Sequence, residues 1–177
     1  MRILIIQTSP GHTASTLLVN AIYGLIPELS NKKIIYIDNF DENFQEYFNN
    51  IICIKTHDTN IDEIIKKFKD IYKLYFICSD RKEFNYLIDD KYRLYENVII
   101  FEYEELNETD TYDVPMIINN IYNKLNKVLK IDLNIDSGIK RIHDMNKLYN
   151  DIKMNSFEYI DDFFQIHGSH RNRNKND

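Results

Sequence analysis

The chain has no tryptophan, four glycines, three prolines and two cysteines in 177 residues. So few glycines and prolines exclude collagen-like and low-complexity chains. Two cysteines, Cys53 and Cys78, each inside an apolar run, exclude a disulfide scaffold and a zinc cluster. They read as buried thiols in a reducing compartment. No apolar run reaches the roughly 18 residues that a membrane span needs. The N-terminal run Ile3–Ile6 is too short for a signal peptide and no small-residue cleavage site follows it, so a cytoplasmic location is expected. Positive charge is also short: the formal net charge is −6, which argues against a general nucleic-acid surface. The exception is the end, HRNRNKND, which reads as a basic, polar tail.

What is present is alternation. Apolar, β-branched runs occur at Ile3–Ile6, Ile34–Ile37, Ile51–Ile54, Leu74–Cys78 and Val98–Phe101. Helical spacing lies between them. Leu17, Leu18, Ala21, Ile22 and Leu25 mark one helix. Ile61, Ile64, Ile65 and Phe68 mark a second, with acidic residues in its first turn, and Phe84, Leu87 and Ile88 a third. Buried strands alternating with helices predict βαβ units: an α/β fold with a parallel sheet of about five strands and helices on both faces. After Leu106 the strands stop. Pro115 sits where a helix carrying Ile117, Ile118, Ile121, Leu125 and Leu129 would begin. Ser137 could cap another with Ile139, Ile142, Met145 and Leu148, and Phe157, Ile160, Phe163 and Phe164 suggest a last short helix. The expected organisation is one domain over 1–170 with a helical C-terminal third, followed by a tail over 171–177.

In such sheets ligands sit beyond the carboxyl ends of the strands. The first strand runs into Thr8-Ser9-Pro10-Gly11-His12 and a helix follows at once. Gly11 permits an unusual backbone angle. Ser15 and Thr16 fall at the helix start, where free N–H groups and the positive dipole end favour an anion. An ordinary turn with a Ser cap is the alternative. This is not a Walker loop, which needs a second Gly and a Lys. The strand IICIKTHD ends in Lys55, Thr56 and His57. A His there is a candidate general base, and a Lys beside it could neutralise a transferring anion. A polar strand end at the surface is the alternative for both. His143 reads as a surface residue of an amphipathic helix, and His167 and His170 flank Gly168-Ser169 in either a tail or a closing loop. Asp and Glu form no convincing metal-ligand set.

Together these stretches resemble the sulfotransferases that use 3′-phosphoadenosine 5′-phosphosulfate (PAPS). The family's first loop reads roughly Y-P-K-S-G-T-T-W, and Ser15 and Thr16 stand where it has paired hydroxyls. Its strand-terminal K-T-H is matched by Lys55-Thr56-His57, and its Y-E-D-L-like motif by Tyr103-Glu104-Glu105-Leu106. The stretch KLYFICSDRKEF resembles the strand that ends in the family's 3′-phosphate motif. The resemblance spans Ile3–Leu106. It departs where His12 replaces the loop Lys, where Leu17 replaces the aromatic that stacks on adenine, and where Ser79 takes the place of the 3′-phosphate Arg, with Arg81 two residues on.

The resemblance implies a P-loop-like architecture and in-line transfer of a sulfuryl group from PAPS to an acceptor hydroxyl or amine, without a metal. His57 would be the general base, with Lys55 and His12 steadying the bridging oxygen. Gly11, Thr13, Ala14, Ser15 and Thr16 would hold the 5′-phosphate. Ser79, Arg81 and Arg171 would hold the 3′-phosphate, and Tyr103 would pack near the adenine. The expected partners are this nucleotide and an unidentified acceptor, with no membrane and no nucleic acid. Two other readings stay open: a catalytically inactive relative that binds a nucleotide or a protein, and a small nucleoside or nucleotide kinase.

Overall fold

In the computed structural model, residues 2–10, 13–38, 40, 49–106, 113–151 and 159–167 are described. Five strands form one parallel sheet: β1 (Arg2–Thr8), β2 (Ile35–Tyr36), β3 (Ile51–Thr56), β4 (Tyr72–Asp80) and β5 (Val98–Glu102). Their order is β2-β3-β1-β4-β5, so the first strand lies at the centre. β1 pairs in register with β3 (Ile5 opposite Cys53, Thr8 opposite Thr56) and with β4 (Ile5 opposite Tyr75). A central strand flanked on both sides and covered on both faces has no wet side, which is why it reads as a continuous apolar run.

Side chains alternate across the sheet, and two cores result. Ile5, Cys53, Tyr75, Ile77, Ile99 and Phe101 pack against α1 (Ser15–Leu25), Leu106 of the short α3 (Tyr103–Leu106), α4 (Val114–Leu129) and α5 (Ile135–Asp151). Leu4, Ile6, Ile52, Ile54, Leu74, Phe76 and Cys78 pack against α2 (Ile61–Phe68) and the turn around Tyr92. The expected α/β architecture with helices on both faces is therefore the one observed. Every residue of α1 is buried. It lies tight against α5, where a Cβ added at Gly24 would come 2.8 Å from the Gly138 Cα. The local signals for two helices act as read: Asn60 caps α2, with Asp62 and Glu63 in its first turn, and Pro115 sits in the first turn of α4 behind the Asp113 cap.

Three expectations are corrected. Phe84, Leu87 and Ile88 do not form a helix. Two 3₁₀ turns, Lys82–Phe84 and Asp90–Leu94, stand there instead. Asn85 is left-handed (φ 55°), and Asp80 takes the Ile88 N–H at 2.7 Å, so the chain is turned back before a helix can propagate. Ser137 is not the cap of α5. Its N–H donates to the Asn134 side chain at 2.9 Å, which makes Asn134 the cap. Phe163 and Phe164 lie in the turn of an antiparallel hairpin, β6 (Tyr159–Asp161) with β7 (Ile166–His167). Asp161 accepts the Phe164 N–H at 2.7 Å and Gln165 takes a left-handed angle (φ 57°), local chemistry that closes a hairpin turn. Phe157 and the 171–177 tail lie outside the described residues.

The hairpin is held by Arg141 of α5, which is 4% exposed. Its guanidinium donates to the Asn20 side chain (3.2 Å), the Ser30 carbonyl (2.8 Å) and the Phe163 carbonyl (3.2 Å). Asn20 in turn donates to the Phe164 carbonyl at 2.8 Å. Among the described residues no helix is long and apolar enough to cross a membrane.

Candidate functional site

The chain leaving β1 travels through α1 toward β2 and β3, whereas the chain leaving β4 travels toward β5. Connections that diverge from neighbouring strands open a crevice at their carboxyl ends. Strand alternation decides what faces it. On β1, Ile5 lies on the α1 side, so Gln7 and Ser9 do as well; on β3, Cys53 is followed by Lys55 and His57; on β4, Ile77 is followed by Ser79 and then Arg81. Each strand thus turns from apolar to polar on the same face and at the same end, beside the N-terminus of α1.

The first turn is tied across the crevice by hydroxyls. Thr13 Oγ1 donates to the Pro10 carbonyl and lies 2.9 Å from Ser79 Oγ. Ser9 Oγ accepts from the Ser79 N–H (2.8 Å) and from Gln7 Nε2 (2.8 Å), and its Oγ contacts that of Ser79 at 2.9 Å. Ser9, Thr13 and Ser79 are fully buried, so this network fixes the turn against β4. The Ser cap considered for α1 is not observed. Ala14 holds the cap position in a left-handed conformation (φ 59°), and no side chain caps the helix. The first intrahelical bond runs from Leu18 N–H to the Ala14 carbonyl at 3.0 Å. The amides before Leu18 therefore keep the partial positive charge that attracts an anion.

Lys55 lies 2% exposed on β3, and its Nζ donates to Thr16 Oγ1 at 3.0 Å. It forms no ion pair with a carboxylate among the described residues. Burial alone pushes its ammonium down to a pKa of about 8. Two residues on, His57 is exposed, and its Nδ1 meets the Ser9 carbonyl at 2.8 Å. A carbonyl oxygen only accepts, so Nδ1 carries the proton and the lone pair of a neutral ring sits on Nε2. The Tyr36 ring meets the imidazole edge-on, centroids 6.0 Å apart. His57 is thus oriented from two sides with one nitrogen left to work.

Beyond β4, the Arg81 guanidinium sits 4.2 Å from the Phe84 ring centroid and 4.1 Å from that of Tyr103, and it pairs with Glu83 at 3.0 Å. Asp80, on the opposite face, is buried and bonded to Arg93 and to the Ile88 N–H; burial holds its carboxyl above the usual range. The structure therefore brings Thr13, Ala14, Ser15, Thr16, Lys55, His57, Ser79 and Arg81 to one end of the sheet, with Tyr103 against Arg81. Gly11, His12 and Arg171 lie outside the described residues. Leu17 is 9% exposed and belongs to the core. Sequence reasoning places Ser9 in the first turn without a role and misses Gln7, which has a usable signal, since the apolar run of β1 breaks into polar residues on the face of α1. His143 is exposed, as expected. Among the described residues no group of three or more His, Cys, Asp or Glu could hold a metal ion.

Comparison with protein-family models, curated proteins and solved structures returns no match.

Proposed function

We propose that this chain is a sulfotransferase-like protein that moves a sulfuryl group from PAPS to an acceptor hydroxyl or amine. The observation that carries the reading is the convergence, on one face at the carboxyl ends of β1 and β3, of three groups the reaction requires. These are a helix N-terminus without a side-chain cap, a buried ammonium bonded to its second residue, and an imidazole oriented through Nδ1 with Nε2 available.

The acceptor oxygen or nitrogen attacks sulfur in line. Its bond to sulfur forms as the bond from sulfur to the 5′-phosphate oxygen breaks, and its proton passes to His57 Nε2. Adenosine 3′,5′-bisphosphate leaves with the additional charge. The α1 amides with the Ser15 and Thr16 hydroxyls hold the 5′-phosphate, and the Lys55 ammonium steadies the developing charge on the bridging oxygen. His12, which stands where the resemblance has a loop Lys, would donate from the turn. Ser79, Arg81 and Arg171 are proposed for the 3′-phosphate.

A second reading, a catalytically inactive module that binds a nucleotide or a protein, is favoured by one observation. The hydroxyls of Thr13 and Ser79 are fully buried and engaged with each other. Calorimetric titration with adenosine 3′,5′-bisphosphate, beside ATP with magnesium, separates the readings when joined to a transfer assay with labelled PAPS. Bisphosphate binding with turnover that is lost in His57→Ala supports the enzyme. Binding without turnover supports the module. Binding of magnesium ATP alone would replace both with a kinase-like function. His57→Ala removes the bond to the Ser9 carbonyl, so it should cost about 1 kcal/mol of stability at most while removing transfer. Full activity in that variant would refute the assigned base.

A further inference from the structure

Five of the six large hydrophobic residues that stand exposed among the described residues fall within Phe84–Tyr95. Two of them are rings on the turn that follows β4. Phe84 is 51% and Tyr86 37% exposed, and their rings lie stacked at 25° with centroids 6.1 Å apart. Nothing about this turn is loose. The Arg81 N–H bonds the Tyr86 carbonyl at 2.8 Å and the Tyr86 N–H returns to Arg81 at 3.1 Å. Phe84 N–H closes on the Arg81 carbonyl (3.3 Å), and Asn85 N–H on the Lys82 carbonyl (3.0 Å). Asp80 anchors both ends by taking the Ile88 N–H and pairing with Arg93. Rings exposed to water on a backbone this constrained are presented, not stranded.

A cation lies at their base: the Arg81 guanidinium packs on Phe84 at 4.2 Å and on Tyr103 at 4.1 Å, and its pair with the exposed Glu83 at 3.0 Å is the contact that a ligand's phosphate would replace. The same strand holds Ser79 in the crevice, and two extended residues carry the chain about 7 Å. That places an anion-binding group and a ring surface next to the α1 terminus. Meanwhile Leu17, at the position where the resemblance would have an adenine-stacking ring, is packed in the core.

We propose that the Arg81–Tyr86 turn is the stacking platform for the nucleotide's base, with Phe84 and Tyr86 supplying the ring surface and Arg81 the anion contact. The ligand class is a planar heteroaromatic ring carrying a phosphate within reach of Arg81, and its assignment as adenine rests on the sulfotransferase reading. A stacked base needs only a π-face, so the platform tolerates any base, and selectivity for adenine would come from elsewhere.

The test is calorimetry on the full chain with two probes, adenosine 3′,5′-bisphosphate and adenosine 3′-monophosphate, which has the base without the 5′-phosphate. Saturation-transfer NMR reads which ligand protons touch the protein. The variants are Phe84→Leu, which keeps apolar bulk and loses the π-face, and Phe84→Trp, which enlarges it. The wild type should saturate the adenine H2 and H8 most strongly. Phe84→Leu should weaken both nucleotides at least about fivefold, and Phe84→Trp should hold or tighten them.

Strongest saturation at the ribose, or wild-type affinity in Phe84→Leu, overturns the platform. If the bisphosphate binds regardless of residue 84, the platform falls and the sulfotransferase reading stands. If the 3′-monophosphate binds in a Phe84-dependent way and the 5′-phosphate adds nothing, the platform stands and the α1 anion site falls. Binding of neither overturns both.

Discussion

Replacing Lys55 with methionine should make the protein more stable and less able to bind an anion. A free lysine titrates at 10.5, whereas Lys55 in the folded protein titrates at about 8 because burial disfavours the ammonium. That difference corresponds to about 3 kcal/mol lost by keeping the charge buried at neutral pH. Methionine fills a similar volume without charge. It forfeits the bond to Thr16 Oγ1, worth about 1 kcal/mol. The net gain for Lys55→Met at pH 7 is therefore about 2 kcal/mol.

The sign with pH follows from proton counting. Between about 8 and 10.5 the unfolded chain keeps the lysine proton that the folded chain has released, so wild-type stability rises with pH across that window. The penalty is complete below the folded pKa and gone above the unfolded one. Urea midpoints of the two proteins, compared point by point from pH 7 to 10.5, cancel the other titrations and leave Lys55 alone. The gap should be widest at pH 7 and close toward pH 10.5. Added sulfate should stabilise the wild type more than the methionine variant, over the general effect of sulfate common to both, because an anion at the α1 terminus gives the ammonium a charged partner. A variant less stable than wild type at pH 7, or a gap that does not change with pH, would refute the account of Lys55 as a desolvated charge awaiting a ligand.

Two further predictions concern the frame around the site. Ala14→Gly relieves a left-handed angle that costs alanine about 1–2 kcal/mol, against about 0.5–1 kcal/mol of added chain entropy. Denaturant melts should show a small net gain, and a loss would mean that the Ala14 methyl has a packing role. Arg141→Met leaves the Ser30 and Phe163 carbonyls and the Asn20 side-chain oxygen without their donor. Each orphaned acceptor costs about 1–3 kcal/mol, but methionine also relieves about 3 kcal/mol of buried charge, because burial pushes the guanidinium down to about 10, so the net global loss should be a few kcal/mol at most. Hydrogen exchange should accelerate first in β6 and β7, and exchange that stays slow there would show that the hairpin is held by other contacts.

The sheet was legible because β1, β3 and β4 are covered on both faces, and full burial demands the β-branched runs from which they were read. Lys55 was recognised as chemically interesting, but its burial was not. The clue was its position: a lysine that continues Ile51–Ile54 beside the central strand has no route to water. The 84–88 stretch was misread because Phe84, Leu87 and Ile88 repeat at helical spacing although only Ile88 enters the core. Spacing reports a shared face only where a helix exists. Here Asp80 and Asp89, short acidic side chains that capture nearby amides, decided the local geometry. The C-terminal hairpin was missed for a related reason, since adjacent aromatics fit a helix or a turn equally well until Asp161 and Gln165 are read as turn formers. Arg141 left no signal at all. One arginine on an amphipathic helix is ordinarily a surface residue, and only a contact 121 residues away in sequence reveals otherwise.

That separation bears on how the chain is made. The strand and helix at the candidate site are synthesised well before α4 and α5, which cover the face of α1 turned away from the sheet. Asn20 receives Arg141 from 121 residues downstream and bonds Phe164 from 144 residues downstream, and Gly24 fits against Gly138. A nascent chain that ends before α5 holds an apolar helix with nothing to cover it, and its loop-closure entropy is still to be overcome. The candidate crevice is thus encoded well ahead of the segments that complete it. A ribosome stalled before residue 141 would display α1 to chaperones as an uncovered apolar surface rather than a finished site.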